Sequence, residues 1–218
     1  MANVILDNDF QEAGVTENRD FKKLVFPLHF EFKITTLAND FVVKDANGQT
    51  LAYVRQKMFK FVEDIQIFTN ESKKEQIYNI KADRWIDFNS IYSFFDKNDK
   101  LMGSVARKGM KSLWKAQYQI HNNNKELAYH IKEINPWTKV FDALFGEIPI
   151  LGFFTGYVFN PKYSISDLNE NMLVKMKKEP SFFGRKFTID LVGDLPEQDE
   201  EDVMLSLMMF VLLERRRG

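Results

Sequence analysis

Eleven consecutive residues near the C-terminus, Val203 to Leu213 (VMLSLMMFVLL), carry no charge and a single hydroxyl, that of Ser206. Pro196, Glu197, Asp199, Glu200, Glu201 and Asp202 precede the run; Glu214, Arg215, Arg216 and Arg217 follow it. Acids before and bases after is the order a helix macrodipole favours, so the run reads as a helix. A surface helix keeps a polar stripe. This one is apolar all round and must be buried all round. Eleven residues rise only about 16 Å, well short of the roughly 20 residues that cross a bilayer. The upstream acids also resist insertion into lipid, so the rest of the chain is expected to build the enclosure.

That enclosure is legible as a repeated hairpin. Five segments share one pattern: FVVKDANGQTLAYVRQK (41–57), QIFTNESKKEQIYNIKA (66–82), YSFFDKNDKLMGSVARK (92–108), YQIHNNNKELAYHIKE (118–133) and YSISDLNENMLVKMKK (163–178). Each has an alternating strand, a turn rich in Asp, Asn, Gly or Lys, an apolar residue after the turn, and a second strand ending in bases. The apolar anchors are Leu51, Ile77, Leu101, Leu127 and Leu173, the first four spaced by 26, 24 and 26 residues. Period-2 alternation around such turns predicts antiparallel hairpins. PLHFEFKI (27–34) and RKFTIDLV (185–192) add two further strands, about twelve in all. So many antiparallel strands avoid exposed edges by closing into a barrel. The lumen of such a barrel is too wide for its own side chains to fill. The expected fold is therefore all-β with one helix: a closed antiparallel barrel of about twelve strands around a central hydrophobic C-terminal helix. Residues 1–25 are expected to form a flexible arm, 26–218 the barrel domain, and 135–161 an apolar insertion within it.

A barrel wrapped around a C-terminal apolar helix resembles the Tubby C-terminal-like superfamily. The turn and strand end formed by Asp45, Asn47, Gly48, Leu51 and Arg55 are most similar to its LURP-one-related branch. Phospholipid scramblases share the superfamily. The resemblance spans residues 26–217 and implies a non-catalytic module that binds phosphoinositides or another anionic phospholipid, with scramblase-like lipid handling as a more distant implication. The insertion departs from the pattern.

Composition narrows the chemistry. The chain has 218 residues with 44% hydrophobic and 14% aromatic, enough for a substantial core. Its net charge of −1 offers no global field for nucleic acid. It has no cysteine, which excludes disulfides and thiolate chemistry. MANVILDNDFQEAGVTENRD lacks the basic and apolar regions of a signal peptide, so a cytoplasmic address is expected, and the lipid binding that the resemblance implies would place the protein at the membrane periphery. Asp96, Asn98 and Asp99, or Asp167, Asn169 and Glu170, resemble fragments of calcium loops. Counted from Asp96, however, the glycine and bidentate glutamate positions hold Leu101 and Arg107. Turn chemistry explains these acids without a metal. His29, His121 and His130 have no zinc-ligand spacing. Nucleophile elbows and phosphate loops are absent, so no enzyme activity, cofactor or metal is expected.

Two surfaces remain. Bases gather at equivalent hairpin ends: Arg55, Lys57 and Lys60; Lys81 and Arg84; Arg107, Lys108, Lys111 and Lys115; Lys175, Lys177 and Lys178. A collar built from Arg55, Lys57, Arg107, Lys108, Lys175, Lys177 and Lys178 would meet an anionic head group. The same residues also serve simply to keep strand ends apart. The insertion is the second surface. From Val140 to Phe159 only Asp142 and Glu147 are charged. A short helix over 137–145 and an apolar loop or strand over 150–159 are expected. It either packs over a barrel end or exposes Trp137, Phe153 and Phe154 to a protein partner or membrane surface.

Overall fold

The computed structural model describes residues 24–33, 39–56, 64–82, 90–107, 117–134, 162–180 and 186–215. Twelve strands follow in chain order: β1 (Leu28–Phe32), β2 (Phe41–Lys44), β3 (Thr50–Gln56), β4 (Asp64–Phe68), β5 (Gln76–Ala82), β6 (Ile91–Asp96), β7 (Leu101–Arg107), β8 (Gln117–Asn122), β9 (Leu127–Glu133), β10 (Lys162–Ser166), β11 (Met172–Glu179) and β12 (Lys186–Leu191). A 3-10 turn (Glu197–Asp199) then leads into α1 (Glu200–Arg215). Each strand pairs antiparallel with its sequence neighbours, and β1 pairs with β12, with Leu28 opposite Ile189, to close the barrel. The expected architecture is the observed one. The expected arm, 1–25, lies outside the described residues except for its last two, as does the whole insertion.

Hairpin turns set the register. In each, the first turn residue (Asp45, Asn70, Asp96, Asn122 or Asp167) uses its side-chain Oδ1 to accept the amide two residues on, at 2.8–3.0 Å. In four of the five the same oxygen also accepts the amide four residues on, at 2.8–2.9 Å. The residue three positions on is left-handed every time: Gly48, Lys73, Asp99, Lys125 and Glu170, with φ between 56° and 77°. A one-residue register shift sits beside every turn, as between Val43 and Lys44 or Phe94 and Phe95. A tight turn closed by a left-handed residue and a bulge is a standard solution for antiparallel hairpins, because it matches the strand twist. The repeated Asp or Asn is thus structural. The anchors are less uniform than the repeat implies: Leu51, Ile77 and Leu173 are buried, whereas Leu101 and Leu127 are only half-buried.

Alternation sends one face of every strand inward. Phe30, Phe41, Val54, Ile65, Ile67, Ile80, Phe94, Val105, Ile120, Ile131, Ile165, Met176 and Ile189 line the lumen and are fully buried. Outward positions carry Glu31, Lys44, Arg55, Gln66, Lys81, His130, Lys132, Lys175 and Asp190. This is the inverse of a transmembrane barrel, whose exterior is apolar. One outward cluster breaks the rule: Val42, Tyr53 and Phe68 are buried on the barrel's outside. There the Tyr53 hydroxyl donates to Asp40 Oδ2 at 2.6 Å, and the Lys73 ammonium lies 5.1 Å from the Tyr53 ring centroid.

The helix fills the lumen. Every residue from Val203 to Leu212 is buried, as an all-apolar helix requires. Its axis lies nearest β7 and β8. Gly103 on β7 permits that approach: a Cβ there would stand 2.8 Å from the His121 carbonyl oxygen and 3.4 Å from Asp202 Cγ. Two inward tyrosines on adjacent strands hold the helix by its ends. Tyr129 donates to Asp199 Oδ2 at 2.5 Å beside the helix start, and Tyr163 donates to Glu214 Oε2 at 2.7 Å near its end. Between them, Phe210 meets Tyr118 and Tyr163 edge to face, at 5.1 Å and 4.7 Å. The Arg215 guanidinium stacks 4.4 Å from the Phe32 ring centroid.

Candidate functional site

A lumen filled by buried side chains leaves the rims and the exterior for binding. The two rims differ. The five tight turns lie at one, with the start of α1. The strand ends at Gln56, Ala82, Arg107, Glu133 and Glu179 lie at the other, the connection rim, with the end of α1.

The predicted cations come to the connection-rim half of the barrel, but the register divides them. Arg55 stands opposite Gln66 on the exterior and is exposed. Arg107 stands opposite Tyr118, a lumen residue, and so shares the inward face at the mouth. Lys178 likewise stands opposite the buried Phe187. Lys175 and Lys177 point outward with Ser164 and Lys162. Lys57 and Lys108 lie outside the described residues. The hairpin repeat brings equivalent strand ends to one rim; whether each cation faces in or out depends on single-residue parity within its strand.

Neighbours assemble a different group on the outside of β9–β11. Lys132 and Lys175 flank Ser164 on either side, and Lys162 stands directly opposite Lys177 in the next row. Lys132 pairs with Glu170 at 2.5 Å and Lys177 with Glu179 at 3.2 Å. Among the described residues, neither Lys162 nor Lys175 has an ion-pair partner. Like charges directly opposite across a strand pair are destabilising, so the Lys162–Lys177 juxtaposition works against the sheet. Lys162 and Lys132 were missed in the sequence because pairing across β10 needs the bulge between Ile165 and Ser166 to be placed first. Further round the barrel, Glu31 bridges Lys44 at 2.7 Å and Lys186 at 3.0 Å. The Lys44 hydrogen bond, against the cost of burial and helped by Lys186, holds the Glu31 carboxyl below its ordinary value.

A depression of about 260 Å³ crosses the outside of β6–β8, lined by Ile91, Ser93, Leu101, Ser104, His121 and Lys125. Burial pushes the His121 imidazole below its usual range. His29 is outward, with Nδ1 at 3.4 Å from Thr188 Oγ1. Among the described residues no group of three or more His, Cys, Asp or Glu side chains is placed to hold a metal ion. No described helix is long and apolar enough to cross a membrane. Trp137, Phe153 and Phe154 lie outside the described residues, although the strands flanking their segment, β9 and β10, are direct hydrogen-bonded neighbours. Comparisons with protein-family models, with curated proteins and with solved structures find no match to this chain.

Proposed function

We propose that the chain is a non-catalytic, Tubby-like binding module whose β9–β11 exterior meets an anionic phospholipid surface. The observation that carries this reading is the Lys162–Lys177 pair, opposite one another in register, with Lys132 and Lys175 in the adjoining row. A like-charge pair lowers the stability of the strands that carry it, and an anionic head group relieves it. Lys162 and Lys175, which have no ion-pair partner among the described residues, are available to such a ligand. The filled lumen supports an exterior site over an enclosed one. Lipid handling of the scramblase kind has no separate support in the geometry.

Co-sedimentation with vesicles tests the proposal. Neutral vesicles are compared with vesicles containing phosphoinositide, at low and high salt. Binding to the anionic vesicles alone, weakening as salt rises, is expected. Lys162→Glu and Lys177→Glu together should abolish it, and the Arg107→Glu change, at an inward position, should not. Equal binding of wild type and the double variant would sink the assignment.

A further inference from the structure

Seven large apolar side chains are conspicuously exposed among the described residues, and four of them share one sector of the turn rim. They are Leu168, Met172, Leu191 and Val192, each 40–54% exposed. Backbone pairing makes them neighbours. Leu168 and Met172 belong to the β10–β11 turn, closed by the Asp167 amide on the Asn171 carbonyl. Val192 and Gly193 both donate to the Leu173 carbonyl, and Leu191 stands opposite Val174, which joins the end of β12 to that turn. Contiguous exposed apolar surface marks an interaction site far more often than scattered single residues do.

The charges around the patch select its partner. The segments that carry it, 167–173 and 190–197, contain no lysine or arginine; Glu170 is paired with Lys132 and Asp190 stands opposite Lys175, and Asp167 and Asp194 give the border its acidic character. Asp167 is held ionised: the Asn171 side chain and the amides of Asn171 and Asn169 keep its carboxyl below the usual range. An anionic bilayer is repelled by such a border. A second copy would oppose acid to acid. We infer that this sector of the turn rim docks a basic amphipathic segment of another protein, its apolar face on Val192, Met172 and Leu168 and its lysines or arginines against the acidic border. The inference rests on apolar residues outside the proposed lipid site, which it adjoins where Glu170 pairs with Lys132 and Asp190 faces Lys175.

The probe is a fluorescein-labelled leucine–lysine peptide of about five helical turns, followed by fluorescence anisotropy against the full chain. Controls are a scrambled peptide of the same composition and its leucine–glutamate counterpart. The amphipathic lysine peptide should bind and the two controls should not. Met172→Ser with Val192→Ser should weaken binding about tenfold, and Asp194→Lys should weaken it further at low salt. Lys162→Glu should not weaken it. Melting curves confirm that each variant folds; should the double variant melt early, Leu168→Ser at the turn tip takes its place. The inference is overturned if the scrambled peptide binds equally well or if the apolar substitutions change nothing. It is also overturned if Val192→Ser abolishes self-association, which makes the occupant a second copy. Loss of binding to neutral vesicles in the same variant makes the occupant lipid and overturns it too.

Discussion

The Tyr163 hydroxyl donates a 2.7 Å hydrogen bond to Glu214, linking the start of β10 to the last turn of the helix inside the barrel. Burial, then the negative charge of Glu214 and of Glu133, pushes the Tyr163 phenol far above its usual range. Unfolded tyrosine titrates near pH 10. Above that pH the unfolded chain loses a proton that folded Tyr163 keeps. The native state then holds more protons than the unfolded one, and stability falls as pH rises. The slope is about 1.4 kcal/mol per pH unit for each such tyrosine. Tyr53 and Tyr129 add to it, since burial and their bonded carboxylates, Asp40 and Asp199, push them up as well. Tyr163→Phe should cost about 1.5–3 kcal/mol at neutral pH, as for a hydrogen bond to a charged group, and should flatten the alkaline slope. Urea titrations from pH 8 to 11, read against the constant-slope alternative, check both.

Leu207 lies mid-helix and is buried on every side. Leu207→Ala should lower stability by about 2–5 kcal/mol through the cavity it leaves. Leu207→Asp places an unpaired charge in the lumen, a penalty on the scale of the whole stability of about 5–15 kcal/mol. Circular dichroism should find that variant unfolded. A folded Asp variant would mean that the helix leaves the barrel readily.

Ser206 is the one polar residue in the buried run, and its hydroxyl has no hydrogen-bond partner among the described residues. A buried unsatisfied hydroxyl is unfavourable, so Ser206→Ala should raise stability by about 1 kcal/mol. A comparable loss in the chemical-denaturation midpoint would mean that the hydroxyl is satisfied in solution.

The fold was legible because two signals demanded each other. Val203–Leu213 needed an enclosure, and five hairpins with the same turn needed something to enclose. Turn chemistry fixed the hairpins because Asp45, Asn70, Asp96, Asn122 and Asp167 do local work that depends on no distant residue. The candidate site was harder to read. Arg107 and Lys175 are similar in sequence context, both a basic residue on the second strand of a hairpin, yet one faces the lumen and the other the outside. Parity decides this, and the one-residue bulges beside each turn reset parity. Lys162 was missed for the same reason. The burial of Val42, Tyr53 and Phe68 on the barrel's exterior follows from neither alternation nor turn spacing.

Four of the five left-handed turn positions are occupied by residues with a Cβ: Lys73, Asp99, Lys125 and Glu170. The left-handed conformation costs an L-residue about 1–2 kcal/mol, and glycine relieves most of that penalty. Lys125→Gly should therefore raise stability by about 0.5–1 kcal/mol, net of glycine's greater freedom in the unfolded chain. Gly48→Ala, the converse at φ 77°, should lower stability by about 1 kcal/mol. Paired thermal melts suffice. A stabilised Gly48→Ala would show that the turn adopts another conformation.

Gly103 tests how closely the helix must approach its wall. A Cβ at that position meets the His121 carbonyl oxygen at 2.8 Å, a backbone atom that cannot swing aside, and Asp202 in the first turn of α1 at 3.4 Å. The β7–β8 pairing (Gly103 opposite Asn122) and the helix start must therefore shift together to admit it. Overpacking of this kind costs about 1–3 kcal/mol, so Gly103→Ala should lower the urea midpoint with the transition slope unchanged. Gly193→Ala provides the control. Its Cβ would meet the Met172 carbonyl oxygen at 2.6 Å, but no helix atom is among its nearest neighbours. Both variants should lose stability, while amide exchange should accelerate over Asp202–Ser206 in the Gly103 variant alone. Acceleration in both would place the coupling in the barrel as a whole; acceleration in neither would mean that the wall yields without moving the helix.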